Sequence, residues 1–128
     1  MKATACAVLL LALAAAAAAQ GLQETCTSFS APRVVIGCWQ ILERHADEKE
    51  GLRTLEAYAA RGFTTFDTAD IYGRSEAVLG QLRASGINPV IHTKFVTRDS
   101  DFDAAQQVNT RSAQALGAAP DLVAFHWW

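Results

Sequence analysis

Asp67, Tyr72, Lys94 and His126 are an acid, a phenol, an amine and an imidazole, each at or just past the end of a short apolar run. Together they could run the reduction of a carbonyl. A tyrosine hydroxyl, with an unperturbed pKa of about 10, holds its proton too tightly to be a good donor at neutral pH unaided. An ammonium group beside it favours the phenolate and lowers that pKa, and a carboxylate can hold the ammonium in place. An imidazole could hydrogen-bond the substrate oxygen and orient it. Each residue has a plainer reading when taken alone. Asp67 could cap a turn, and Tyr72-Gly73 could be an aromatic packed over a loop. Lys94 could be a surface charge at a strand end, and His126 a satisfied core histidine. His45 and His92 keep that plain reading, and Trp39 and Trp127 could be core aromatics. The case for chemistry rests on the four occurring on successive elements.

Those elements follow from the pattern of apolar residues. Val34, Val35 and Ile36 form a β-branched run ending at Gly37-Cys38-Trp39, a first strand. Asp47 with Glu50 resembles a capping box, and Leu52, Leu55 and Ala59 give helical spacing up to Gly62. Phe63 to Phe66 reads as a second, buried strand that stops at Asp67. The loop from Thr68 to Arg74 re-enters helix at Ser75, expected as an N-cap, with Glu76 in the first turn. Val78, Leu79 and Leu82 make that helix's apolar face. Pro89 opens a third strand, VIHTKF, running to Lys94 and Phe95. Ser100 or Asp101 is expected to cap a third helix with Phe102, Ala105, Val108, Ala115 and Leu116 on one face, ended by Gly117. LVAFHWW is the fourth strand.

The order is β-α-β-α-β-α-β, which demands a parallel sheet with right-handed crossovers. The strand ends are about 30 residues apart, one βα unit each. An open doubly wound sheet and part of a (β/α)₈ barrel both fit. The first lacks its fingerprint, since no G-x-G-x-x-G follows the first strand. The second is favoured because Trp39, Asp67, Tyr72, Lys94 and His126 fall at or beyond the C-terminal ends of four strands, where barrels mount chemistry.

The stretch FDTADIYGRSEAVLG resembles the signature of the aldo-keto reductase family. The resemblance implies a TIM barrel and an Asp-Tyr-Lys-His tetrad. It carries over onto Asp67 in FDTAD, Tyr72 in YG, Lys94 in TKF and His126 in FHW. Trp39, after Gly37, is similar to a family residue lining the substrate pocket. Trp127 is assigned to the substrate as well, and Gly37 and Asp67 to the cofactor. The implied activity is NAD(P)H-dependent reduction of an aldehyde or ketone, the proton coming from Tyr72. The resemblance covers residues 33–128, about the first four βα units of a barrel that has eight. In the family the other half holds most of the nicotinamide and 2′-phosphate contacts. The chain as given is therefore expected to bind NADPH or NADH weakly and to be inactive. Its open sheet edges are expected to favour self-association. Two alternatives stand beside this: a non-catalytic half-barrel that binds or regulates, and a fragment from a truncated gene model. Trp128, where many family members have Pro, is a small departure.

The 128 residues are 51% hydrophobic and 19% charged, with net charge −2. No basic cluster argues for nucleic acid or an anionic membrane. Lys2 precedes an uncharged Leu- and Ala-rich run, Ala3 to Ala19, ending AAAAQG. That is the anatomy of a secretory signal peptide over residues 1–19, cut before Gln20. Residues 20–32 read as a linker and 33–128 as the barrel half. The expected location is the secretory pathway or outside the cell, with organellar and cytoplasmic as alternatives. No membrane association is expected once the leader is gone. Cys6 would leave with the leader, and whether Cys26 and Cys38 pair is open. No CxxC, HExxH or Cys/His cluster suggests a metal.

Overall fold

The computed structural model describes residues 32–45, 47–97 and 101–127, with the side chains of Thr97 and Trp127 excepted. The leader, nearly all of the linker, Cys26, Ser100 and Trp128 lie outside the described residues. Arg33–Trp128 forms one compact unit.

Seven elements alternate in this unit: β1 (Ile36–Gly37), α1 (Glu48–Ala59), β2 (Thr65–Asp67), α2 (Ser75–Ala84), β3 (Val90–Thr97), α3 (Phe102–Leu116) and β4 (Leu122–Trp127). The strands form one sheet in the order β1-β2-β3-β4, with every neighbouring pair parallel. That order decides between the two architectures. A doubly wound sheet reverses direction at a switch point, whereas here each right-handed crossover advances in the same sense and leaves its helix on the same face. The helices accordingly pack side by side, α1 on α2 and α2 on α3.

The core lies between that helical layer and the sheet. Leu55 of α1, Val78, Leu79 and Leu82 of α2, and Leu116 of α3 close on Phe66 and Ile91 of the strands, all fully buried. The approach of α2 to α3 depends on Gly80, since a Cβ there would run into the carbonyl oxygen of Ala115. Arg83 of α2 ties the next crossover. It donates to the carbonyls of Leu116 and Ala118 and pairs with Asp121, whose carboxylate also accepts the N–H of Ile91 at 2.8 Å.

Paired residues in a parallel ladder share a face, and the faces alternate along each strand. Gly37 pairs with Asp67, Asp67 with His92, Lys94 with Ala124 and Val96 with His126. These residues line the face away from the helices. The sheet thus turns Phe66 and Ile91 toward the helices and Asp67, Lys94 and His126 toward the opposite face.

Several elements differ in extent from the sequence reading. Only Ile36 and Gly37 of the first run form ladder pairs, and Val34 and Val35 are exposed. The second strand is Thr65–Asp67, with Phe63 left outside it against Tyr58. The third reaches Thr97, so Lys94 sits inside the strand rather than at its end. The helix cap at α2 is Arg74 and makes no side-chain cap bond. Ser75 is the first helical residue. Phe102, expected in the core, is 77% exposed, and the buried residues of α3 are Ser112 and Leu116. Asp47 and Asp101 do cap α1 and α3, accepting from Glu50 and Asp103.

Candidate active site

Beyond Asp67 the chain leaves β2 but does not leave β3. Thr68 N–H donates to the carbonyl of His92 at 2.8 Å, and Asp70 N–H to that of Lys94 at 3.2 Å. These bonds prolong the parallel ladder along the loop. The carboxylate of Asp70 then accepts the N–H of Val96 at 3.2 Å. Burial pushes the Asp70 carboxyl above its ordinary pKa, opposed by hydrogen bonds from backbone N–H groups, that of Val96 first, and by the charge of Arg111.

This loop and the lysine hold each other. Lys94 Nζ donates to Asp67 Oδ2 at 2.5 Å and to the carbonyl of Thr68 at 2.9 Å. It lies 5.0 Å from the centroid of the Tyr72 ring. The chain turns tightly there, with Tyr72 N–H bonded to the carbonyl of Ala69 and Ser75 N–H to that of Tyr72. Gly73 between them has φ +60, a left-handed conformation that a side chain would strain. The Tyr72 ring meets that of Trp39 with centroids 6.3 Å apart. Trp39, Ile71, Tyr72, Lys94, Val96 and His126 surround a recess of about 230 Å³.

A second set of polar groups anchors the site from behind. Thr68 Oγ1 donates to Ser75 Oγ, which donates to the carbonyl of Cys38. Thr93 Oγ1 donates to Glu76 Oε1 at 2.7 Å, in a place where Glu76 is only 8% exposed. These bonds join the ends of β1 and β2 and the middle of β3 to the first turn of α2. Cys38 sits among them, fully buried. Its thiol is pushed up to about 12 by burial first and by the Asp67 charge second, against the opposing charge of Lys94.

The structure therefore brings Tyr72, Lys94, His126 and Trp39 to one recess and places Asp67 directly behind the lysine. Trp39 is 63% exposed, a wall of the recess rather than a core aromatic. Gly37 pairs with Asp67 on the inner face, but a Cβ there would meet nothing within 4 Å, so no close approach singles it out. The side chain of Trp127 lies outside the described part. Sequence reasoning missed Asp70, Thr93 and the internal role of Ser75. Its signal for Glu76 was read as a helix-end charge.

A sequence model described as the Aldo/keto reductase family matches residues 33–128. The chain belongs to that family. An aldo-keto reductase of Mycobacterium sp. (strain MCS) is 33% identical over 84 residues, 62% of this chain and 30% of its own. A thermostable aldo-keto reductase in complex with the inhibitor epalrestat superposes with a TM-score of 0.71 at 22% identity. The overlap takes in 79% of this chain and 40% of that one. An aldo-keto reductase of Bombyx mori, in complex with NADP, gives a TM-score of 0.60 at 21% identity, over 72% and 33% respectively. This aldo-keto reductase-family chain spans less than half the length of the relatives it matches. Its four strands and the three helices between them are the corresponding part of a (β/α)₈ barrel fold, and the recess lies at the C-terminal side of its strands, the face on which such barrels carry chemistry.

Proposed function

We propose that this chain carries the proton-delivery half of an NAD(P)H-dependent reduction of small aldehydes or ketones. The observation that supports it most is the position of the Lys94 ammonium, held by Asp67 and Thr68 against the face of Tyr72. The cofactor fits this site in part. The polar groups around the recess suit the reacting end, but about 230 Å³ falls below the roughly 300–1,000 Å³ of pockets that enclose whole ligands. A bound reduced nicotinamide would supply the hydride. The residues of this chain do the rest. His126 hydrogen-bonds the carbonyl oxygen and orients it. Tyr72 gives its hydroxyl proton to that oxygen as the alcohol forms. The negative charge left on the phenolate meets the positive charge of Lys94, and Asp67 with the Thr68 carbonyl keeps that lysine from turning away. Fixed charge of this kind, aimed at where charge develops, lowers the barrier without reorganisation. Trp39, Ile71 and Val96 give the recess an apolar wall suited to the carbon side of a small carbonyl compound.

The 128-residue chain by itself is expected to hold NADPH weakly. Titration with NADPH, followed through Trp39 fluorescence, tests this, and micromolar affinity with aldehyde-dependent oxidation would overturn it. Self-association belongs to the same reading. On the helix side of β4, Val123 and Phe125 are exposed, Phe125 to 65%, and apolar surface of this kind favours association. Sedimentation should find dimers or larger species, and a monodisperse monomer would refute that part.

A further inference from the structure

We infer that Asp70 is a positioning residue for Tyr72 and Lys94, acting through a hydrogen bond that replaces a missing strand. The inference rests on the reductase reading for its purpose but not for its test. β2 ends at Asp67 while β3 runs on to Thr97. On the β2 side, the carbonyl of Lys94 and the N–H of Val96 would therefore have no ladder partner. Asp70 supplies both, its own N–H to the Lys94 carbonyl and its carboxylate to the Val96 N–H. The two bonds lie two residues apart on the β2 side of β3 and fix where the loop lies along it.

The consequence reaches both chemical groups. Tyr72 follows Asp70 by two residues and is tied by the Ala69 turn, so the place of its backbone depends on where Asp70 is held. Lys94 is clamped at its carbonyl by Asp70 and at its ammonium by Asp67 and Thr68. Without the carboxylate half of the clasp, the loop beyond Asp67 would keep only its backbone bonds to β3, from Thr68 N–H to the His92 carbonyl and from Asp70 N–H to that of Lys94, and the lysine's own bond to the Thr68 carbonyl. The ring and the ammonium would then no longer share one geometry. The clasp needs an acceptor and not a charge, since the donor is a neutral N–H and burial disfavours the ionised form. Arg111 of α3 is the charged group that bears on Asp70, and it opposes the effect of burial.

The test reads the Lys94–Tyr72 contact directly by nuclear magnetic resonance on the purified chain. A lysine side chain over an aromatic face shows a ring-current shift and cross-relaxation with the ring. Asp70→Ala should abolish both and should speed hydrogen exchange at the Val96 amide at least tenfold. Asp70→Asn, which keeps the acceptor and drops the charge, should preserve all three signals. If Asp70→Ala does not fold, Asp70→Leu replaces it, being close in shape without an acceptor. A folded Asp70→Ala or Asp70→Leu that keeps the ring-current shift would overturn the inference. So would an Asp70→Asn that loses it. Neither outcome depends on turnover, so failure here is separable from failure of the reductase reading.

Discussion

Replacing Thr93 by Val leaves the shape of the side chain and removes one hydroxyl. In the structure that hydroxyl donates to Glu76 Oε1 at 2.7 Å, with Thr93 1% and Glu76 8% exposed. Water cannot take its place, so the variant keeps a carboxylate in a buried position and deprives it of its partner. Hydrogen bonds to charged groups contribute about 1.5–3 kcal/mol, and the deficit should fall near 2 kcal/mol. For a unit of this size that is roughly 10 °C in Tm. Urea unfolding of the two proteins, followed by circular dichroism, gives the difference directly. The partner change supplies the control. In a Glu76→Leu background, Thr93→Val should cost little, because two apolar groups of similar shape leave nothing unpaired. A Thr93→Val deficit below about 0.5 kcal/mol, or one unchanged in the Glu76→Leu background, would refute the claim that this bond ties α2 to β3.

Four further outcomes are expected. The Cys38 thiol, raised from 9.0 to about 12, should stay protonated and react with an aromatic disulfide only on unfolding. Its contribution to stability should be full below pH 9.0 and be lost as pH rises toward about 12, which a Cys38→Ala comparison across alkaline pH would detect. Gly80→Ala should cost about 1–3 kcal/mol by forcing α2 from the Ala115 carbonyl, read from the unfolding midpoint. Protein isolated from its source cells should begin near Gln20, and N-terminal sequencing that finds an intact Met1 would refute the leader.

The loop was the most legible part of the fold. FDTADIYGRSE carries its own punctuation, and the strand-helix alternation around it needed only apolar spacing and Gly stops. Asp67, Tyr72, Lys94 and His126 could be named because each follows such a run. Strand lengths were not legible, because a ladder ends where its partner ends. β3 is long because Asp70 and β4 pair with it beyond β2, and nothing within VIHTKF says so. Phe102 looked like a core residue by spacing, but it opens α3 at the edge of the helical layer, where propensity has no view of what lies opposite. Ser75 carried the sequence mark of a cap. Its hydroxyl instead reaches the Cys38 carbonyl, a partner 37 positions away.

The central claim is that Tyr72 delivers the proton and does not hold the cofactor. The measurement that bears on it most directly compares Tyr72→Phe with the parent, in the longest product that transcript sequencing across the Trp128 codon shows to be made. Carbonyl reduction and NADPH affinity are measured side by side. The account predicts that reduction is abolished while NADPH affinity stays nearly unchanged, with Lys94→Met as damaging to reduction. Loss of affinity in step with loss of turnover, or undiminished reduction by Tyr72→Phe, would contradict it.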